Sequence, residues 1–150
     1  MATSTVRTTT VSTVLINRWE QVGKKIESLA EAFPEKKYDW KPADSTRTFA
    51  EVLRHVAFWN QFVADSACGK KADDSANELP AAKYSTKARI IDALKQSSAD
   101  VVSALKENHG ALEPQTAELV VTFLEHTSEH NGQLVVYARM NGIVPPASRS

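Results

Sequence analysis

At 150 residues, 42% of them hydrophobic and 24% charged, the chain has the size and composition of one soluble globular domain that buries its own core. Eighteen basic residues offset eighteen acidic ones, so the cationic surplus that displaces phosphate counterions is missing and no nucleic-acid partner is expected. The single cysteine, Cys68, excludes an internal disulfide, and no stretch approaches the roughly 20 apolar residues of a membrane span. The N-terminal MATSTVRTTTVST has no apolar region of the kind a secretory signal needs, so a cytoplasmic protein is expected, with residues 1–9 flexible.

Apolar residues recur at spacings of three and four through four segments, and no sustained alternation suggests strands. The first helix is predicted over Thr10 to Ala32, with Val11, Val14, Leu15, Val22, Ile26 and Leu29 on its inner side and Pro34 ending it. A first long loop, EKKYDWKPADST, follows. Thr48 and Glu51 then form a capping box that opens a second helix, VLRHVAFWNQFVADSA, which stops near Gly69. A second long loop, KKADDSANELPAAKY, is polar and reads as flexible. The third helix spans roughly Ser85 to Asn108, with Ile90, Ile91, Leu94, Val101 and Leu105 inward and Gly110 closing it. After a turn at Pro114 the fourth runs from about Thr116 to Asn141 and ends at Gly142, before Pro145-Pro146. Four amphipathic helices predict an all-α, single-domain four-helix bundle with two long inter-helix loops.

At about 100° per residue, His126 and His130 share one stripe of the fourth helix with Leu119 and Tyr137, flanked by Phe123 and Gln133. Glu118, Glu125 and Glu129 take the solvent stripe. On the second helix His55 lies with Val52, Trp59, Phe62 and Ser66, away from Arg54, Gln61 and Asp65. Two helices therefore aim three imidazoles at the core. A lone inward histidine is more often a satisfied core residue than a ligand, but three together are hard to satisfy from apolar neighbours, and charging them is worse. One divalent cation accepts a lone pair from each neutral ring, and side chains at i and i+4 stand about 5–6 Å apart, close enough to share it. His55, His126 and His130 are thus the candidate ligands. Three nitrogens leave a coordination position for water or substrate. Glu51, one turn before His55, is the best candidate acceptor for an outward ring N–H, ahead of the wetter Glu129; Tyr137 is a weaker supporting candidate.

Other motifs carry less. HTSEH matches the inverted zinc-protease pattern H-x-x-E-H, but its Glu129 falls on the solvent stripe. A di-iron carboxylate site needs two Glu-x-x-His motifs, whereas Glu51 precedes His55 by four residues and no second motif exists. Cys68 reads as a small helix-end residue and His109 as a cation at a helix C-terminus. Trp19, Trp40 and Trp59 read as core or loop anchors.

With these histidines placed, YDWKPADSTRTFAEVLRHVAFWN and HTSEHNGQLVVYARMNGIVPP resemble the DinB/YfiT-like superfamily of metalloenzymes, over nearly everything after the Thr-rich start. The resemblance puts His55 on the family's ligand in the second helix and His126 and His130 on its paired ligands in the fourth. It implies a four-helix bundle, a homodimer in many members, and nickel or zinc at the three histidines, with iron also compatible with imidazole. It further implies chemistry of the kind its thiol-dependent transferases and isomerases perform with low-molecular-weight thiols, so a transferase acting on a small electrophile is expected, with a hydrolase second. The alternative is a metal-binding or stress-related bundle without turnover. A second apolar band of Ala117, Val121, Leu124 and Val135 on the fourth helix agrees with a covering partner.

Overall fold

The computed structural model describes residues 10–107 and 112–150. The expectations for a flexible start, for His109 as a cap and for Gly110 as a terminator fall outside those residues. Four helices make up the described chain, α1 (Val11–Ala32), α2 (Phe49–Ala67), α3 (Lys87–Glu107) and α4 (Pro114–Met140), with short 3-10 turns at Glu35–Lys37 and Pro146–Ser148 and no strand among the described residues. None of these helices is long and apolar enough to cross a membrane.

Local chemistry sets the ends. Thr10 caps α1 through Thr13 N, and both halves of the predicted capping box form at α2. Cys68 is the C-cap of α2, and the next residue, Gly69, turns the chain away at a φ of 72°. Pro114 is not in the turn before α4 but opens the helix, where its missing N–H costs nothing.

Two apolar clusters define the packing. One joins Ile26, Leu29 and Ala30 of α1 to the first half of α2, to Ile90 and Leu94 of α3, and to Leu134, Tyr137 and Ala138 of α4. The other joins Trp19, Val63, Ala64, Val101, Leu105 and Val120. The order of residues through these layers means that α1 and α4 run one way and α2 and α3 the other. Each of α1 and α2 packs between α3 and α4, so the two histidine-bearing helices are neighbours. Because α2 and α3 run in the same direction, the chain between them must return along the bundle, which accounts for the length of residues 68–86.

Both long loops are structural. In the first, Tyr38 donates to Ala30 O at 2.6 Å, and the first amides of α2, Phe49 N and Ala50 N, donate to Trp40 O and Tyr38 O. In the second, Leu79 and Tyr84 pack on the first cluster, so the expectation of a flexible connection is corrected. That loop also buries Arg54, on the side of α2 away from His55: its guanidinium meets Glu78 at 3.3 Å and faces Tyr84 O. On α1, Val11 and Val14 are exposed, at 76% and 46%, while Ser12 and Trp19 take the inner positions. The Ser12 hydroxyl accepts from Leu112 N there, a contact that no apolar pattern encodes.

Phe33 and Phe49 stack with centroids 3.8 Å apart, neither exposed at all, and they tie the first loop to α2. Phe49→Ala should lower stability by about 3–5 kcal/mol, the usual cost of deleting a buried ring, measured by denaturant unfolding.

Candidate metal centre

His55 lies two turns inside α2, and His126 and His130 lie one turn apart on α4. Their Nε2 atoms converge: His126 Nε2 is 2.9 Å from His55 Nε2 and 3.2 Å from His130 Nε2, and the three ligand atoms all lie within 4.8 Å of one another. Nitrogens around one tetrahedral zinc at 2.0–2.1 Å stand about 3.3 Å apart, so the cluster has the size that one ion requires. His55 is buried, and the two α4 rings are half-buried. Phe123 and Trp59, stacked at 5.4 Å, close the apolar side, with Phe123 edge-on to His126 and Trp59 to His55.

The hydrogen bonds fix which nitrogens carry protons. His55 Nδ1 faces the backbone carbonyl of Asn77, which can only accept, so Nδ1 is the donor and Nε2 holds a lone pair. At His130 the argument runs through three groups. Tyr137 OH must donate to Arg47 O at 2.9 Å, so it accepts from Gln133 Nε2 at 3.0 Å. Gln133 Oε1 is thereby turned to His130 Nδ1 at 2.8 Å, which must be N–H, and again Nε2 is the lone pair. His126 Nδ1 is buried without a partner among the described residues. In the neutral trio its Nε2–H can serve only one of the two facing lone pairs. A cation at the centre takes all three once the His126 proton moves to Nδ1. The donor set therefore fits a divalent ion.

Two supporting roles differ from the expectation. Glu51 is not the acceptor for His55: its carboxylate takes Thr48 N at 2.6 Å, a capping geometry that holds it at its own helix end. Asn77 O, from the second loop, fills the place instead, and Trp59 Nε1 holds the Asn77 side chain at 2.9 Å. Tyr137 touches no ring nitrogen: its hydroxyl accepts from Gln133, whose Oε1 faces His130. The position of Gln133 three residues after His130, on the same face, was the available signal for it. Glu129 is exposed, as its stripe implied.

His130 and Gln133 open onto a cleft of about 580 Å³ whose other walls are residues 44–47, Glu51 and Glu78. The cluster is thus walled by aromatic rings on one side and accessible on another. A larger groove of about 680 Å³ lies between α2, α3 and the second loop and includes none of the three histidines.

A helical bundle with three convergent imidazoles and an open cleft defines a protein able to hold a metal ion between two of its helices. The chain belongs to the DinB superfamily, whose family model matches residues 18–134 and so takes in all three histidines. No curated protein matches it.

Burial, with smaller contributions from Arg47 and the neighbouring rings, lowers His55 and His126 from 6.5 to about 4, outweighing the hydrogen bond to Asn77 that favours the His55 cation. In the unfolded chain both rings protonate near 6.5. Between that pH and about 4 the unfolded state binds protons that the folded state refuses. Thermal stability of the metal-free protein should therefore be full above this window, fall as pH drops through it, and lose no more on this account below it. In ¹⁵N NMR of the same protein near neutral pH, His55 and His130 should appear as Nδ1–H tautomers and His126 as the Nε2–H form.

Proposed function

We propose that this protein is a metal-dependent enzyme, a thiol-dependent transferase acting on a small electrophile, with His55, His126 and His130 holding a divalent ion, nickel or zinc. The observation that carries the reading is the convergence of three Nε2 atoms, two of them fixed as lone pairs by hydrogen bonds on the far side of their rings. A divalent ion there supplies a Lewis acid that acidifies a thiol or water and polarises an electrophile.

The remaining work falls to the chain's own groups. Asn77 O and the Gln133–Tyr137–Arg47 series hold the rings in the coordinating tautomer, as outer partners of ligating histidines do. Phe123 and Trp59 exclude water from one side, and the cleft beside His130 gives a reactant its path. An accessible cleft of this size favours turnover over a closed structural site, whose ligands saturate the ion. The same centre could activate water for hydrolysis, so the thiol is the part of the reading that the test must isolate. The assembly we propose is a homodimer in a cytoplasmic setting. Leu124 and Val135 pack inward, but Val121, Val136 and Met140 leave apolar surface on α4 that a second copy would cover.

Untagged protein should carry close to one equivalent of transition metal per chain by elemental analysis, and His126→Ala should lose it. Metal-loaded protein should conjugate electrophiles with at least one small cellular thiol, and chelation should abolish that turnover. Metal without thiol-dependent turnover would leave the non-catalytic reading standing. A metal content unaffected by His126→Ala would remove the centre itself.

A further inference from the structure

The cleft beside the histidines has a charge pattern that ion binding alone does not use. Three carboxylates and one guanidinium line it, from Asp44, Glu51, Glu78 and Arg47. Glu51 is committed to Thr48 N and Glu78 to Arg54, while Asp44 stands exposed at the rim. Among the described residues the ion pairs are Arg54–Glu78, Lys95–Glu31 and Lys106–Glu20, none of which involves Arg47. Arg47 is nevertheless half-buried, and its backbone is pinned: its carbonyl receives Tyr137 OH at the end of the series that orients His130. Arg47 thus lines the cleft beside His130 with no ion pair of its own among the described residues, close to a centre built for a divalent cation that it would repel. Arg47 already adds to the burial that disfavours the His55 and His126 cations. Of the three carboxylates in the cleft, Glu51 and Glu78 have other partners and Asp44 is exposed, which leaves the Arg47 guanidinium free to take an anionic group of a ligand.

We propose that Arg47 determines specificity in this cleft, and that the small molecule reaching the histidine centre carries a carboxylate, gripped by the paired N–H donors of the guanidinium. Planar, two-pronged recognition of a carboxylate is what arginine offers and lysine does not. A volume of about 580 Å³ suits a small carboxylic acid with room for a second reactant. This inference rests on the function proposed above and specifies the substrate class for that site.

The probes are 3-mercaptopropionate and its methyl ester, which differ in charge and share the thiol. They are titrated into zinc-loaded protein by calorimetry and into metal-free protein by amide NMR at Thr48 and Glu51. The wild type should bind the acid about tenfold or more tighter than the ester, the scale of a hydrogen bond to a charged group. Arg47→Met should erase that preference while leaving ester affinity unchanged, and Arg47→Lys should restore part of it. The backbone carbonyl that holds Tyr137 is kept in both variants, and zinc uptake equal to wild type reports that the histidine centre is intact. Equal affinity for acid and ester in the wild type would overturn the proposal. So would a preference that survives Arg47→Met, since the carboxylate would then be chelating the ion itself. Failure to take up zinc would remove the metal reading alone; the acid-over-ester comparison in metal-free protein would still decide the role of Arg47.

Discussion

Three neutral imidazoles whose ring nitrogens meet at one point have too few protons to satisfy one another. His55 and His130 present lone pairs because their other nitrogens donate, to Asn77 O and to Gln133 Oε1, and His126 can answer only one of them. Most of the structure around the cluster maintains this confrontation. Loss of the Asn77 carbonyl or of the Gln133 amide would free a ring to rotate or change tautomer, and the shared centre would dissolve into ordinary side-chain hydrogen bonds. Electrostatics acts in the same sense, since burial and neighbouring charge keep His55 and His126 from escaping the conflict by protonation.

The bundle meets this constraint with its loops as much as with its helices. α2 and α4 bring the rings together and Gln133 of α4 orients His130, but the chain between helices completes the arrangement: Asn77 O from the second loop faces His55, and Arg47 O from the first receives Tyr137. Each loop is anchored in turn. Tyr38, Phe33 and Phe49 fasten the first to the core, with Trp40 edge-on to Tyr137 at 5.5 Å. Leu79, Tyr84 and the Arg54–Glu78 pair fasten the second. Loops that carry functional groups on a rigid scaffold are common; here they also act as braces for ligands that sit on the helices. The apolar clusters on either side of the site hold the helix spacing that the braces assume.

Much of this was legible in the residues. Four helices followed from apolar spacing, their ends from Thr48, Gly69, Pro34 and Gly142, and the inward direction of His55, His126 and His130 from the wheel. Errors arose where burial did not follow hydrophobicity. Val11 and Val14 fit an apolar stripe yet stand in solvent, because the bundle covers the side of α1 that carries Ser12 and, two turns on, Trp19. Arg54, placed away from the His55 stripe, is buried all the same, because a wheel contains one helix and no loop to cover it. Glu51 was correctly recognised as a cap, and that role is what withdraws its carboxylate from His55.

The sequence by itself determined the periodic, local features: helix identity, the caps, and which face of each helix carries an imidazole. These depend on interactions within a few residues along the chain, and they are written in spacing. Only the tertiary structure decided that α2 lies beside α4, which nitrogen of His55 and of His130 is free, and that Asn77 O, Gln133 and Arg47 O are the groups that make it so. Pairings such as His55 with Asn77 and Tyr137 with Arg47 use backbone carbonyls, which every residue possesses. Side-chain identity therefore carries no mark of them, and only the path of the folded chain selects which carbonyl arrives.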